Sequence, residues 1–378
     1  MSLVFYDDSP IFGGHEVMSL AGLDALLNRY SKPVFFYATE ANSTLCERLA
    51  ELEGKYDHLR ISNLPWHSSK LEGLRNRLKP ARARQLQQRF ERLGAKLVVA
   101  VQGNIEHSSL ALHACKKANI RSVSYIPVPH SNRVMGAKLG RMRDLFSRSI
   151  FKLPDSYLTI SEEMASLLRQ RGAVAPIKIV YNGIDIHRFQ EGVSHEARKG
   201  LQLPPNKILL GVVGRVEFRQ KQQQLLVEAV SSVPSLVGRC HLVFAGDGPD
   251  SDCLKRLLAA KGVSHTIIPW CDTAPLYQAL DALVIPSRYE GLPLVMLEAL
   301  SSRITVFGSD RDGMRDILPD EYRFAVSNVA DLSRTIHKWV DKGCPPPAEE
   351  LVNRIRSKMS KEQFAESFSR EILAKLTR

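Results

Sequence analysis

Two glutamates, Glu290 and Glu298, stand eight positions apart at the end of an apolar run. Segment 285–298 has the pattern of a strand, a loop and a helix, with Glu290 in the loop and Glu298 inside the helix. Pro293 suits the first helical turn, because its missing N–H costs nothing there. Two carboxylates held apart along one wall can each accept hydrogen bonds from a pair of hydroxyls. This spacing predicts a ligand such as a ribose or a hexose, against the alternative of two unconnected surface glutamates.

Three amides and two cations could hold anionic oxygen beside these carboxylates. The backbone N–H groups of Gly291, Leu292 and Leu294 lie at the start of the predicted helix, where a helix dipole attracts anions. Arg215 and Lys221 follow the apolar run 208–213, at the mouth of the next helix. Such a pair suits a diphosphate. The pattern of this segment alone fits a solvated basic loop equally well.

A pair of glycines, Gly13 and Gly14, follows the first apolar run and opens a helix. Glycines there let a ligand approach the backbone, although a simple turn has the same pattern. Neither the Gly-x-Gly-x-x-Gly fingerprint nor a Walker loop is present in the sequence. The Asp-x-Asp strings at 250–252 and 310–312 fit helix caps, so we assign no metal site.

Alternating strands and helices must position these residues. Short apolar, β-branched runs are separated throughout by stretches with helical spacing, which predicts doubly wound parallel sheets. The runs lie at 3–6, 34–37, 97–101, 122–126, 157–160, 177–180, 208–213, 241–245, 266–268, 282–285, 305–307 and 322–325. We predict two Rossmann-like α/β domains, at residues 1–190 and 191–359, with a helix at about 360–378 that packs back on the first. Ligands of such sheets bind beyond the carboxyl ends of the strands.

Composition narrows the class of protein. The 378 residues are 44% hydrophobic and 24% charged, which is typical of globular proteins. No apolar run is long enough to span a bilayer, and the first residues resemble neither a signal peptide nor an anchor. Six dispersed cysteines without a Cys-x-x-Cys pair indicate a reducing compartment. We therefore expect a soluble, cytoplasmic protein.

The net charge of +12 is concentrated in the first half of the chain. Residues 1–178 carry 26 Lys and Arg against 16 Asp and Glu, whereas the remainder carries 26 against 24. Segments 70–96 and 133–152 combine basic residues with apolar stripes at helical spacing, and such helices can lie on anionic lipid. The alternative is that each stripe packs inside its domain and the charges are merely solvated. Aromatic residues are not interleaved with these charges, so we exclude nucleic acid as a partner.

Taken in order, these motifs resemble those of retaining GT-B glycosyltransferases, above all the family-4 (GT4) group that uses nucleotide-sugar donors. Glu290 and Glu298 match the Glu-x7-Glu signature, and the resemblance extends over nearly the whole chain. The other matching motifs are Gly13–Gly14, 159–163, 181–185, Gly214–Arg215 with Lys221, 245–249 and Pro286–Ser287. The sequence departs from the family pattern at 302–306, which lacks the usual Gly and Pro, and at Trp270, where a glycine is common.

The resemblance implies a role for each site residue. Glu298 would bind the ribose and Glu290 the sugar hydroxyls, while backbone groups near Ile268 would recognise the base. Arg215 and Lys221, with help from Gly14, would hold the diphosphate as it leaves. His130 would lie near the donor sugar, with His107 as the second choice.

The implied reaction is metal-independent transfer of a hexosyl group with retention of configuration. The donor would be a nucleotide-diphosphate sugar and the acceptor a glycan or lipid-linked molecule, in cell-surface polysaccharide or glycolipid synthesis. The positive charge of the first half of the chain favours an anionic acceptor. No cofactor is implied. Two alternatives stay open: a nucleotide-sugar epimerase or hydrolase of the same fold, and a non-catalytic sugar-nucleotide-binding partner.

Overall fold

The chain forms two compact units in the computed structural model, which describes residues 2–78, 80–189 and 194–377. One unit comprises Met1–Asn182 with Lys361–Arg378, and the other comprises Gly183–Ser360. The boundary that the sequence suggested, between residues 190 and 191, lies outside the described residues. Each unit is a parallel sheet with helices between its strands, which confirms the predicted fold class.

The first unit contains a seven-stranded sheet. Its strands are β1 (Ser2–Asp7), β2 (Val34–Thr39), β3 (Leu59–Leu64), β4 (Ala95–Val101), β5 (Arg121–Tyr125), β6 (Ser156–Thr159) and β7 (Ile177–Ile179), in the order β3-β2-β1-β4-β5-β6-β7. Its helices are α1 (Gly14–Leu27), α2 (Ser43–Lys55), α3 (Glu72–Leu78), α4 (Pro80–Arg92), α5 (Ser109–Ala118), α6 (Gly140–Ser147) and α7 (Glu162–Gln170), with a 3-10 turn at Ile150–Lys152. The strand β1 is buried along its whole length, as central strands covered on both faces must be.

The second unit contains a six-stranded sheet. Its strands are β8 (Ile208–Val213), β9 (Cys240–Ala245), β10 (His265–Ile268), β11 (Ala282–Ile285), β12 (Thr305–Ser309) and β13 (Arg323–Phe324), in the order β10-β9-β8-β11-β12-β13. Its helices are α8 (His195–Gly200), α9 (Gln223–Ser231), α10 (Pro234–Arg239), α11 (Ser251–Lys261), α12 (Thr273–Ala279), α13 (Leu294–Ser301), α14 (Asp312–Ile317), α15 (Val329–Asp341) and α16 (Glu349–Lys358), with 3-10 turns at Ile186–Phe189 and Asp320–Tyr322. The strand order reverses at β8, so the loops after β8 and β11 lie at the point where such sheets bind ligands.

The last helix, α17 (Lys361–Thr377), belongs to the first unit although it follows the second in sequence. It packs on α1, where a Cβ added to Gly22 would lie 2.4 Å from the Phe368 ring. That ring also meets Tyr125 edge-on at a centroid distance of 5.3 Å. The close approach of the two helices therefore depends on a glycine at position 22.

Two local features differ from the sequence pattern. The strand β3 was not predicted, because its sequence Leu-Arg-Ile-Ser-Asn-Leu is polar and its position at the sheet edge leaves the middle residues partly exposed. Arg303, which occupies the position of the family's usual glycine, has a left-handed φ of 62° just after α13. Its guanidinium pairs with Glu349 at 2.6 Å, a contact that offsets part of the cost of this conformation.

Candidate active site

The loops that follow β8 and β9 are joined backbone to backbone in the second unit. The Gly214 N–H donates to the Ala245 carbonyl at 2.9 Å, and the Val216 N–H donates to the Asp247 carbonyl at 3.0 Å. Gly246 has a φ of 126°, and a Cβ there would lie 2.3 Å from the Gly214 carbonyl oxygen. Only glycine allows this approach, which fixes the loop that carries Arg215 and Lys221.

Lys221 and Glu290 meet at the carboxyl ends of β8 and β11. The Lys221 Nζ lies 2.6 Å from Glu290 Oε1, and only 8% of Glu290 is exposed. The Arg288 N–H donates to the Gln220 carbonyl at 2.7 Å, so the backbones of the two loops are also connected. Two residues that lie 69 positions apart in the sequence thus form one partly buried ion pair.

The loop around Glu290 is held by the turn that follows β12. The Glu290 N–H donates to Asp312 Oδ2 at 2.8 Å, and the Gly313 N–H donates to the Gly291 carbonyl at 2.9 Å. Asp312 adopts a left-handed φ of 53° to make this contact. The sequence pattern of the string 310–312 indicated only a helix cap, and it did not reveal this contact with the Glu290 loop.

Glu298 lies on α13, the helix that follows the Glu290 loop. The Tyr277 hydroxyl donates to its Oε2 at 2.8 Å. Burial raises the pKa of Glu298, because desolvation outweighs the favourable effects of the Tyr277 bond and the Arg188 charge. Pro293 is extended and precedes α13, so our prediction that it lies in the first helical turn is wrong.

The remaining predicted residues of the second unit have different surroundings. The side chain of Arg215 is 57% exposed and pairs with Glu217. Gly291 and Leu292 are buried between β11 and α13, and Leu294 is the first residue of α13. The carbonyl of Ile268, at the end of β10, accepts the Gly246 N–H at 3.0 Å. Trp270, two residues further on, exposes 64% of its surface.

In the first unit, Gly13 and Gly14 lie at the start of α1, beside a cluster of ionisable side chains. The Gly13 N–H donates to Glu16 Oε2 at 2.7 Å, and His15 Nε2 lies 2.9 Å from Glu16 Oε1. Asp7, at the end of β1, is fully buried, and burial raises its pKa to about 8 despite the nearby His15 charge. The sequence analysis missed this cluster, although a glutamate at the third helical position is the sign of a capping box.

Among the described residues, this cluster is the one group of three His, Cys, Asp or Glu side chains placed so that their donor atoms could hold a metal ion. One ligand atom each from Asp7, His15 and Glu16 lies within 4.8 Å of the others. The Glu16 carboxylate is already engaged by Gly13 and His15, which accounts for its position without an ion.

The two histidines singled out from the sequence lie in the first unit, where His130 is buried and His107 is half-buried. His130 is 2% exposed in the loop that follows β5. His107, in the loop after β4, has its Nε2 2.8 Å from the Asn104 amide nitrogen. Burial and the charges of His15 and Arg143 lower the pKa of His107 to about 3, so its imidazole is neutral at physiological pH.

Comparison with known proteins matches both units to glycosyltransferase families. Residues 14–188 match the model of Glycosyltransferase Family 4, and residues 193–369 match the model of Glycosyl transferases group 1. Together the two matches span both units. The chain belongs to the GT-B glycosyltransferases of the GT4 type, as its motifs predicted.

Individual relatives agree with this assignment. The chain is 31% identical to the lipopolysaccharide core biosynthesis mannosyltransferase LpsB of Rhizobium meliloti, over 44% of this chain and 48% of that protein. It is 28% identical to a D-inositol 3-phosphate glycosyltransferase of Actinosynnema mirum, over 53% and 51%. The alignments thus span about half the length of these curated relatives. The crystal structure of Anabaena Alr3699/HepE in complex with UDP superimposes with a TM-score of 0.75 at 15% identity, over 99% of this chain and 100% of that one.

Within the described ranges, the helices are either too short or too polar to cross a bilayer.

Proposed function

We propose that this protein transfers a hexosyl group from a nucleotide-diphosphate sugar to a glycan or lipid-linked acceptor, with retention of configuration and without a metal ion. The observation that carries the proposal is the partly buried Lys221–Glu290 ion pair at 2.6 Å. Glu298 lies on α13, the helix that follows the Glu290 loop, so this part of the second unit carries a cation for phosphate and two carboxylates for hydroxyls. This donor set suits a sugar joined to a nucleoside diphosphate.

The chemistry follows from the charges. The bond between the sugar C1 and the diphosphate oxygen breaks, and negative charge develops on the departing diphosphate. Lys221 and Arg215 stabilise that charge directly, as a preorganised cationic site does. The acceptor hydroxyl attacks C1 from the face that the diphosphate leaves, and its proton passes to a diphosphate oxygen.

Glu290 and Glu298 orient the rest of the donor. Glu290 accepts hydrogen bonds from the sugar hydroxyls, and Glu298 accepts them from the ribose. Backbone groups beside Ile268 recognise the base. The family resemblance gives Gly14 a part in binding the diphosphate and His130 a part near the sugar, and both roles belong to this proposal.

The acceptor and the place of the reaction extend the proposal. One relative is named for lipopolysaccharide core biosynthesis, and the excess of basic residues lies in the first half of this chain. We therefore assign an anionic glycan or lipid-linked acceptor at the cytoplasmic face of a membrane, in surface polysaccharide or glycolipid synthesis. Contact with the membrane would involve the basic segments 70–96 and 133–152.

The proposal is tested first by ligand-induced stabilisation. UDP, GDP, ADP, dTDP, CMP and their sugars are screened for a rise in melting temperature, with and without magnesium. We expect one base to stabilise the protein equally under both conditions. In the variant Lys221→Met, loss of a charged hydrogen bond should weaken that nucleotide about tenfold or more. Lys255→Met, which removes an exposed lysine of the same unit, serves as the control.

Two results would overturn the proposal. If no nucleotide stabilises the protein, the diphosphate site is wrong and a non-catalytic role takes its place. If the donor is consumed at full rate without any acceptor, the protein is a hydrolase or an epimerase of the same fold. Anomeric analysis of the product by NMR tests retention separately.

A further inference from the structure

The helix α6 faces the solvent with its apolar side. Among the large apolar side chains that the described residues expose, four fall within 134–145: Val134, Leu139, Met142 and Leu145. The two leucines are 62% and 67% exposed. Apolar side chains grouped in this way within one short segment mark a surface for interaction, whereas isolated ones do not.

The polar side of α6 faces the protein instead. Arg143 donates to the buried Glu106 carboxylate through its Nε at 2.7 Å. Asp144 accepts the Asn132 N–H at 2.7 Å and pairs with Arg171 at 3.0 Å. These contacts hold the helix in this orientation, so its apolar face cannot turn inward without breaking a buried ion pair.

The other basic segment has the opposite arrangement. The apolar residues of α4, Ala83, Leu86 and Phe90, are buried in the core of the first unit. Arg82 and Arg89 lie over the ring of Trp66 at 5.8 and 5.9 Å. The apolar stripe of α4 is therefore used for folding, whereas Leu139 and Met142 of segment 133–152 are exposed.

Basic residues surround the exposed apolar face of α6. Arg133, Lys138, Arg141 and Arg148 are all exposed. Asp144 is the one carboxylate in the sequence between Glu106 and Asp155, and its charge is already engaged. We call Leu139, Met142, Leu145 and these four basic residues the α6 patch. Its cationic charge disfavours a second copy of the same surface and favours an anionic one.

We propose that the α6 patch docks the protein on an anionic phospholipid membrane. The leucines and Met142 enter the boundary between headgroups and acyl chains, and the basic residues contact the lipid phosphates. Leu139 holds a left-handed φ of 57° while exposed, and this backbone strain supports a functional role for its position. The inference deepens the membrane contact of the proposed function and rests on it for the identity of the acceptor, but the lipid binding needs no catalysis.

Flotation of the full chain with vesicles tests the α6 patch. We expect binding to vesicles of phosphatidylcholine with phosphatidylglycerol and little binding to phosphatidylcholine alone. Leu145→Ser should weaken binding about tenfold, and Leu139→Ser/Leu145→Ser should weaken it further. Arg141→Gln/Arg148→Gln should weaken binding and reduce its dependence on salt. The matched control is Val174→Ser, which changes a side chain of the same unit that is 75% exposed.

Three results would overturn the inference. The wild-type protein could fail to bind anionic vesicles, or the double leucine variant could bind them as well as the wild type. Sedimentation could instead show a dimer that Leu145→Ser dissociates, which would make the patch a contact between copies. Thermal shifts with nucleotide, measured without vesicles, report on the proposed function independently of all three.

Discussion

Replacing Glu290 with glutamine should separate nucleotide binding from sugar transfer. The Glu290 carboxylate lies 2.6 Å from Lys221 Nζ and neutralises its charge. A nucleoside diphosphate must therefore share this lysine with a carboxylate, and Glu290→Gln removes that competing charge. The glutamine can still accept a hydrogen bond from Lys221, and the loop backbone stays bound to Asp312. We expect tighter binding of the nucleotide together with loss of transfer.

The size of the effect follows from the geometry of the lysine. A phosphate oxygen bonded to Lys221 would lie about 3 Å from Nζ, and hence about 4 Å from the carboxylate on the same nitrogen. At an effective dielectric constant of about 20, two unit charges at that separation repel by about 4 kcal/mol, which is an upper bound. Solvent reaches Lys221, whose side chain is 25% exposed. We therefore expect a gain of about tenfold in affinity, or about 1.4 kcal/mol.

Calorimetric titration with the nucleoside diphosphate that stabilises the wild type measures this gain. Transfer to acceptor is followed in parallel, and we expect it to fall by a factor of about 100 or more, as when an interaction with the reacting sugar is lost. Glu350→Gln, which changes an exposed carboxylate of the same unit, controls for the loss of one negative charge. Weaker nucleotide binding in Glu290→Gln, or transfer at the wild-type rate, would refute the reasoning.

Three further predictions concern the surroundings of this ion pair. The raised pKa of Glu298 means that the folded state keeps the Glu298 proton to higher pH than the unfolded state does, so the stability of the protein falls as pH rises through that pKa. Glu298→Gln should therefore melt about 2 °C higher than the wild type at pH 7 and lose this gain below the ordinary carboxyl pKa. The same variant should bind nucleotide more weakly. An unchanged melting temperature at pH 7 would contradict this assignment. Asp312→Ala leaves the Glu290 N–H without its Asp312 acceptor and should lower the free energy of unfolding in urea by about 1–3 kcal/mol. Asp312→Asn should retain most of that free energy. An equal loss in both variants would exclude the hydrogen bond as the cause. Trp270 should stack on the nucleotide base. Nucleotide should therefore quench the tryptophan fluorescence of the wild type and not that of Trp270→Phe. Quenching that persists in the variant would place the base elsewhere.

The fold could be predicted from the sequence because buried parallel strands are continuous apolar runs. The alternation of such runs with helical segments indicated two doubly wound sheets, and both are present. The missed strand β3 shows the limit of this signal. At the edge of a sheet, backbone pairing with β2 is enough to form a strand, and the side chains need not be apolar.

The charged residues of the site could be found from their types and spacing, but their supports could not. Lys221, Glu290 and Glu298 belong to motifs that lie within one loop or helix each. Asp312 and Tyr277 act through single hydrogen bonds to residues more than twenty positions away. Nothing in the local sequence distinguishes such a partner from a cap or a core tyrosine.

The orientation of α6 illustrates a different limit. Periodicity shows which residues share a helix face, and it grouped Leu139 with Met142. It does not show which face is turned inward when both faces carry groups that can be buried. The Arg143–Glu106 ion pair fixes which face of α6 is turned inward, and Glu106 lies 37 positions away in the loop between β4 and α5.

The second unit holds the Lys221–Glu290 pair and the segment around Trp270 in unequal ways. The Lys221 loop is fixed by the strand β9 turn and the Glu290 loop by Asp312, so the cation and carboxylate are positioned before any ligand arrives. Preorganisation of this kind is what stabilises charge on a leaving group without reorganisation cost. Trp270, in contrast, is largely exposed. It is also a position where the sequence departs from the family. Changes of donor base should therefore be obtained by substitutions near Trp270, which alter affinity, while substitutions that weaken the bracing of Glu290 should lower the rate with every donor.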